Sequence, residues 1–489
     1  MSIISINNLT FSYDGSFDNI FENLSLTLDS DWKLGLVGRN GRGKTTLLKI
    51  LSGELDGKNA VSSPGMTFSY FPPKTENESA ITLDVIKKLA PGAEEWEILR
   101  EIGLLSVSDD VLYRPFSELS GGERSKVMLA ALFTGDGAHF LLIDEPTNHL
   151  DETGRATVSR YLSGKKGFIL VSHDRAFLDG CIDHIMYILP AGIEITKGNF
   201  SVWEQNKAYR DAAELAENER LKKDIKRLET SAKRASDWSD KTEKSKKGAA
   251  DKGFIGHKSA KMMSKAKNIE DRKNAALAEK VGLLKNLETA ESLKLSPLLF
   301  RGEIAYLKNA EKHYGEKTLF ENLSFGIKSG DRIAVTGGNG AGKSTLLKLF
   351  SGETTLSGGE IYIQKGTVIS YVSQETEYLS GSLNDFAGAN GLDRTLFFAI
   401  LRKLGFERVQ FEKNIDDFSA GQRKKTLIAK SLCESAHIYI WDEPLNFIDL
   451  FSRKQIENLI TEFAPTLLFV EHDRVFREKI ATREITLAF

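Results

Sequence analysis

The sequence predicts an α/β protein: two tandem phosphate-loop domains joined by an antiparallel α-helical hairpin. Three observations carry that prediction. First, Gly38-Arg39-Asn40-Gly41-Arg42-Gly43-Lys44-Thr45 has the full Gly-x-x-x-x-Gly-Lys-Thr spacing, behind the apolar run Leu34 to Val37 and ahead of an amphipathic stretch opened by Thr46, Leu47, Leu48 and Ile50. Second, the spacing recurs at Gly337-Gly338-Asn339-Gly340-Ala341-Gly342-Lys343-Ser344, followed by Thr345 and again behind an apolar run, Ile333 to Val335. Third, a long proline-free stretch with helical spacing separates the two halves.

At 489 residues the chain has room for two or three domains, each with a sizeable core. No apolar run approaches the ~18–20 residues of a membrane span. The start, Met1-Ser2-Ile3-Ile4-Ser5, lacks the basic and apolar segments of a signal peptide, so a cytoplasmic location is expected. Cys181 and Cys433 are the only cysteines, which excludes a disulfide framework or a Cys-rich zinc site and leaves buried structural thiols.

In the first half, expected over residues 1–202, Ile3 to Leu9 alternates like a strand. Tyr13 can stack on an adenine or simply close the strand end. In the phosphate loop, backbone N–H groups curl around phosphates and the helix N-terminus adds its positive dipole end. Lys44 is expected to reach the β- and γ-phosphates and the Thr45 hydroxyl to ligate Mg2+. Residues 80–117 read as a small helical insertion. Leu119-Ser120-Gly121-Gly122-Glu123 then opens another helix, a second anion cradle. The buried strand Phe140 to Ile143 ends in Asp144-Glu145-Pro146, where Asp144 is placed to ligate Mg2+ and Glu145 to orient and deprotonate a water. The strand Phe168 to Val171 ends in Ser172-His173-Asp174, and His173 can bond a γ-phosphate or its attacking water.

The second half, expected over 301–489, repeats this order at an offset close to 299. Tyr314 matches Tyr13, Lys343 matches Lys44, and Gln374 falls where the first half has Pro73. Phe418-Ser419-Ala420-Gly421-Gln422 matches Leu119 to Glu123; Asp442-Glu443-Pro444 and Glu471-His472-Asp473 complete the set. Leu356-Ser357-Gly358-Gly359-Glu360 also reads as a signature by its letters, but it comes too early and no helical pattern follows, so a turn between strands is expected there.

Residues 203–300 form the expected linker, with one helix over 203–232, a second over 259–289 and a tip over about 236–256. From Arg220 to Lys267 there are sixteen Lys/Arg against six Asp/Glu, a net of +10, so the rest of a chain of net charge −2 carries −12. An excess this local, on a projecting hairpin, fits a nucleic-acid backbone read by charge and shape.

Phosphate loop, Gln, Ser-Gly-Gly, Asp-Glu and His, in that order and twice, resemble the ATP-binding cassette ATPases. The resemblance implies two tandem cassette-type ATPase domains facing head to tail on one chain, a monomer with intramolecular pairing that uses ATP and Mg2+. One site would combine Lys44, Thr45, Asp144, Glu145 and His173 with Ser419 and Gly421. The other would combine Lys343, Ser344, Asp442, Glu443 and His472 with Ser120, Gly121 and Gly122. Thr45, Ser344, Asp144, Asp442 and Gln374 would hold the metal. Pro73 can neither ligate Mg2+ by its side chain nor donate a bond, and Ala420 adds a methyl at a close phosphate approach. Both departures fall on the Lys44 site, which is expected to turn over more slowly.

Two cassettes joined by a basic hairpin, with no membrane span, resemble the ABC-F group, soluble ATPases that act on the ribosome. The spacings from Pro73 to Leu119 (46 residues) and from Gln374 to Phe418 (44 residues) leave no room for the arm of housekeeping members, and no extension is expected after Phe489. The runs Trp32 to Lys44 and Tyr439 to Asn446 look like the antibiotic-resistance branch, the Lsa and Vga proteins. That resemblance implies binding to the bacterial 70S ribosome at the tRNA exit site, contact with peptidyl tRNA and 23S rRNA, and release of lincosamides, streptogramin A and pleuromutilins. Lys244, Lys246, Lys247, Phe254, Ile255 and His257 are the expected RNA- and drug-proximal tip residues. The rival readings are a housekeeping translation factor, the ATPase subunit of a transporter, which needs a membrane partner, and a DNA-repair ATPase, which needs a longer coiled coil or zinc ligands.

Overall fold

The computed structural model describes residues 2–13, 19–57, 60–75, 77–134, 139–189, 192–244, 293–315 and 317–487. Two compact units divide the chain: Met1–Ser201 with Ala290–Phe489, and Val202–Thr289.

In the first unit each half is built on a mostly parallel sheet. The first runs, in spatial order, Thr67–Phe71, His139–Asp144, Phe168–Val171, Lys33–Val37, His184–Leu189 and Gly192–Lys197, with only the last strand antiparallel. The second runs Ile369–Val372, Ile438–Asp442, Leu467–Val470, Arg332–Thr336 and Arg483–Thr486, all parallel. Strands covered on both faces must be apolar throughout. Phe168–Val171, Leu467–Val470 and Ile438–Asp442 are accordingly buried at every residue. This architecture puts the phosphate loops, the Asp-Glu pairs and the histidines together at the carboxyl ends of the strands, where ligands bind in open α/β sheets.

A three-stranded antiparallel sheet accompanies each half: Phe21–Asp29, Ile3–Phe11 and Val61–Ser62 in the first, Lys317–Lys328, Glu303–Tyr314 and Gly358–Ile363 in the second. The Leu356 to Glu360 run is therefore not a turn between strands. Gly358 opens a strand and pairs with Glu311, with irregular register between Lys308 and Glu311. Gly359 has φ +83°, and a Cβ there would lie 2.1 Å from the Asn309 carbonyl oxygen. The two glycines make a bulge against a neighbouring strand, not an anion cradle.

The insertion contains helices Thr82–Leu89 and Glu95–Leu104, matched by Leu383–Ala389 and Arg394–Lys403 in the second half. Leu293 and Leu295 are buried in the core on that helical side of the second half. Cys181 is buried and Cys433 only partly so; burial pushes both thiols up to about 12.

The described part of the second unit is carried by the helix Phe200–Lys244, 45 residues or about 68 Å at 1.5 Å per residue. It runs past the expected end at 232 and takes in the first part of the expected tip, including Lys244. Alanine, lysine and glutamate are good helix formers, and neither proline nor glycine interrupts the chain before Gly248. The second linker helix and Lys246, Lys247, Phe254, Ile255 and His257 lie outside the described residues.

Candidate active sites

Each phosphate loop ends in a glycine that only glycine can supply. Gly43 (φ +85°) and Gly342 (φ +89°) cap the helices Lys44–Ser52 and Lys343–Ser351, and a Cβ on Gly43 would sit 2.5 Å from Ile20. The Lys44 ammonium donates to the carbonyls of Gly38 (2.8 Å) and Arg39 (3.3 Å) and to Asn40 Oδ1 (3.2 Å). Lys343 donates to the Gly337 and Gly338 carbonyls at 3.0 and 2.8 Å. Burial lowers the pKa of both lysines.

Behind the loops stand the strand-end carboxylates. Thr45 Oγ1 and the Tyr70 hydroxyl donate to Asp144 Oδ2 at 2.7 and 3.0 Å. Both oxygens of the buried Asp442 lack a hydrogen bond of normal geometry among the described residues. Burial, only partly offset by the Ser344 hydroxyl, pushes Asp442 up to about 6. A buried, unpartnered carboxylate beside a hydroxyl is a donor set for a hard divalent cation, so these residues fit Mg2+.

Glu145 (φ +50°) and Glu443 (φ +46°) occupy a backbone region that carries strain for residues other than glycine. Their amides are held by the Val171 and Val470 carbonyls at 2.9 and 3.0 Å. His173 Nε2 lies 3.3 Å from Glu145 Oε1, and His472 Nε2 lies 3.3 Å from Glu443 Oε1. Beyond this the halves diverge. Glu443 also accepts from Gln374 Nε2 (3.0 Å) and from the Asn446 side chain. Burial alone would raise Glu443, but the His472 bond and the nearby lysines hold it below its ordinary value. Glu145 is pushed up to about 8 by burial and by Asp144. Burial, with Lys44 and Arg453, holds His173 well below the ordinary histidine value.

The signature stretches are capping boxes. Ser120 Oγ accepts from the Glu123 amide (3.2 Å) while Glu123 accepts from the Ser120 amide (2.8 Å); Ser419 and Gln422 exchange the same bonds at 3.3 and 2.9 Å. Gln422 thus keeps the cap that Glu123 makes.

The halves meet head to tail. Gly340, Lys343, Ser344, Gln374, Glu443 and His472 of the second half line one cavity of about 910 Å³ with Ser120, Gly121 and Gly122 of the first. Gly342, Thr345, Asn339 and Tyr314 line it too. On the other side, a Cβ at Gly421 would lie 2.4 Å from the Phe447 carbonyl oxygen and 3.0 Å from Asn40 Nδ2. The Asn40 amide donates to that carbonyl at 2.9 Å, and Asn339 makes the matching contact with the His149 carbonyl at 3.4 Å. Tyr13 bonds Thr46 through its hydroxyl (3.0 Å); Tyr314 is 55% exposed with Lys312 over its ring, so a face of it remains accessible.

Sequence reasoning missed the loop after each Asp-Glu-Pro, which supplies His149 and Phe447. The signal was present: Asp144-Glu145-Pro146-Thr147-Asn148-His149-Leu150-Asp151 repeats as Asp442-Glu443-Pro444-Leu445-Asn446-Phe447-Ile448-Asp449. It also missed the pairs between halves, Arg175 with Glu457 and Arg477 with Glu152 (2.8 Å).

Fold and sites together define a tandem cassette nucleoside triphosphatase. Residues 21–148 and 320–446 each match the cassette family described as ABC transporter. The chain is 30% identical to the ribosome protection protein VmlR of Bacillus subtilis, over 99% of this chain and 87% of that one. It is 30% identical to the ATP-binding protein Uup of Caulobacter vibrioides (96% and 74% covered) and 29% identical to the energy-dependent translational throttle protein EttA of Haemophilus influenzae (95% and 88%). The same fold is found in an archaeal ribosome recycling factor solved with a ribosomal stalk protein, at a TM-score of 0.63 and 20% identity over 98% of this chain and 87% of that one. The RNase-L Inhibitor shares it at a TM-score of 0.61 and 20% identity, over 95% and 85%. The chain belongs to the ATP-binding cassette family and, within it, to the ABC-F proteins. Its cassettes bind and hydrolyse ATP.

Proposed function

We propose that this ATPase is a ribosome-protection protein. It binds the bacterial 70S ribosome at the tRNA exit site, contacts peptidyl tRNA and 23S rRNA through a basic hairpin, and promotes release of antibiotics from the peptidyl transferase centre: lincosamides, streptogramin A and pleuromutilins. The similarity to a ribosome protection protein along 99% of the chain carries this reading. The net charge of +10 from Arg220 to Lys267 supports it. Cassettes at 1–202 and 301–489 and a linker at 203–300 are the proposed domains. A housekeeping translation factor is the second reading, favoured by the 29% identity to a translational throttle protein.

In the proposed chemistry, the phosphate loops and the lysines Lys44 and Lys343 hold the phosphates, and Ser120, Gly121, Gly122, Ser419 and Gly421 close each site from the opposite cassette. Tyr13 and Tyr314 face the adenine. Glu145 and Glu443 accept the proton of a water attacking the γ-phosphate in line, with His173 and His472 orienting it. Thr45 with Asp144, and Ser344 with Asp442 and Gln374, would hold Mg2+, which would supply charge neutralisation on the phosphates. The two sites are unequal in this proposal. Burial and the neighbouring Asp144 push Glu145 up to about 8, so only a minor fraction of it is ready to accept a proton at neutral pH, while Glu443 lies below its ordinary value and is ionised. Pro73 and Ala420 weaken the same first site.

The test uses the Glu145→Gln/Glu443→Gln variant, in which ATP should trap the closed state. With ATP it should sediment with 70S ribosomes from a bacterial lysate and lose that association when residues 236–256 are deleted. The unmodified protein should then raise resistance to the named drugs in a susceptible host. Ribosome binding without a drug phenotype selects the housekeeping reading; recovery only in the membrane pellet or at the top of the gradient rejects both.

A further inference from the structure

Two buried charges in the second cassette stand where the first has small hydroxyls. Lys424, on the helix Ala420–Cys433, is 2% exposed, and its ammonium donates to the carbonyls of Ser373 (2.7 Å) and Asp442 (2.9 Å). Those carbonyls belong to the residues immediately before Gln374 and Glu443. Glu471 is 3% exposed and precedes His472. Its Oε1 accepts from the amides of His472 (2.7 Å) and Asp473 (3.3 Å), and its Oε2 accepts from the amide of Leu445 (3.1 Å), two residues after Glu443. At the repeat offset of 299, the first half has Ser125 and Ser172. Ser125 bonds back to Gly121 within its own helix (2.9 Å), and Ser172 meets only Thr147 (3.3 Å) and the Asp174 amide (3.2 Å) among the described residues.

We infer that Lys424 and Glu471 form a buried brace that positions Gln374, Glu443 and His472 for hydrolysis at the second site, and that the first site has only the Ser172 hydroxyl's contacts in its place. Glu443 sits at φ +46°, a conformation that persists only where the surroundings over-determine it. Lys424 holds the carbonyl on one side of it and Glu471 holds an amide on the other. Lys424 also ties the strand end that carries Gln374 to the strand end that carries Glu443, and Gln374 donates to Glu443. The carboxylates of Asp442, Glu443 and Glu471 attract the Lys424 ammonium through the protein interior and offset part of its burial. Both are positioning residues: they act through the backbone of the groups proposed to touch the water, and the inference rests on the proposed role of Glu443.

Lys424→Met should be measured in two backgrounds. With Glu145→Gln, which leaves the second site working, kcat should fall about 10- to 100-fold while KM for ATP stays within about twofold. With Glu443→Gln, which leaves the first site, turnover should not change. The second background separates positioning from folding, because the helix bearing Lys424 also presents Ser419 and Gly421 to the first site, and a damaged helix would slow both. Lys424→Ser/Glu471→Ser, which installs the hydroxyls of the first half, should recover the thermal stability lost by either single change while second-site turnover stays low. Equal losses at both sites, a change in KM alone, or full recovery of turnover in the paired variant would overturn the brace. If the Glu145→Gln/Glu443→Gln protein still hydrolyses ATP at the unmodified rate, the carboxylate assignment itself fails.

Discussion

Glu145 and Glu443 end matching strands, share a positive φ, and each has a histidine at 3.3 Å. What separates them is the surroundings: Gln374 and Asn446 donate to Glu443, whereas Pro73 stands at the position matching Gln374. A carboxylate whose hydrogen bonds prevail is favoured as the anion, and one whose burial and like-charged neighbour prevail is favoured as the acid. Glu443→Gln should therefore remove most steady-state phosphate release and Glu145→Gln the smaller part; a larger loss for Glu145→Gln contradicts the proposed inequality. Pro73 and Ala420 were visible as departures in the sequence. The raised pKa of Glu145 was not, because it depends on desolvation and on the charges of Asp144, Lys44 and Arg453 gathered round it by packing.

The helix Glu95–Leu104 shows how an element can carry a hidden polar centre. Its capping box joins Glu94 and Glu97, and its inner face buries Ile98 and Ile102 together with Glu101, which is 1% exposed. Lys165 and Tyr161 each donate to Glu101 Oε2 at 2.5 Å, and Arg100 donates to Oε1 at 3.1 Å. Burial alone would raise the pKa of Glu101; the bonds from Lys165, Tyr161 and Arg100 outweigh it and leave the group below its ordinary value. A lowered folded-state pKa gives stability that is present above the unfolded value and lost as pH falls through the folded one. Glu101→Gln should cost about 2–4 kcal/mol at pH 7. The gap to the unmodified protein, followed by thermal unfolding, should narrow once pH falls below the ordinary glutamate value of about 4.3 and close as it passes through the lower folded one; a gap that does not vary with pH would rule out the ionised cluster. Helical spacing made the element legible, but one acid on an apolar face does not reveal Tyr161 and Lys165, which lie sixty or more residues away along the chain. The turn expected at Leu356 to Glu360 failed for the same reason: the letters do not show the strand Glu303–Tyr314 against which Gly358 pairs.

At the scale of the molecule, the two cassettes are held by contacts that repeat across the pair. Asn40 and Asn339 each reach a carbonyl in the loop of the opposite half, and Arg175 and Arg477 each pair with an acid there. Glu457 is 1% exposed and also accepts from Lys479 at 3.0 Å, so Glu457→Ala removes the buried acid that Arg175 meets across the halves. Removing one partner of a buried pair costs about 3–5 kcal/mol. Cassette closure, read by energy transfer between one label on each cassette, should then need ATP concentrations higher by about two orders of magnitude or more. Closure at an unchanged ATP concentration would show that the pair does not hold the cassettes together.

The sequence by itself determined the two phosphate loops, the strand-end acids, the histidines, the signature caps and the head-to-tail pairing, the last through resemblance. Those features are local and ordered along the chain: glycines set the backbone of each loop, and an apolar run fixes the strand that aims each acid. Only the tertiary structure decided which glutamate is raised and which lowered, which aspartate is left without a partner, and that Lys424 and Glu471 are buried beside one site where two serines stand in the other. Each of those depends on desolvation and charge contributed by residues far apart in the chain, and neither quantity exists until the strands and helices have packed.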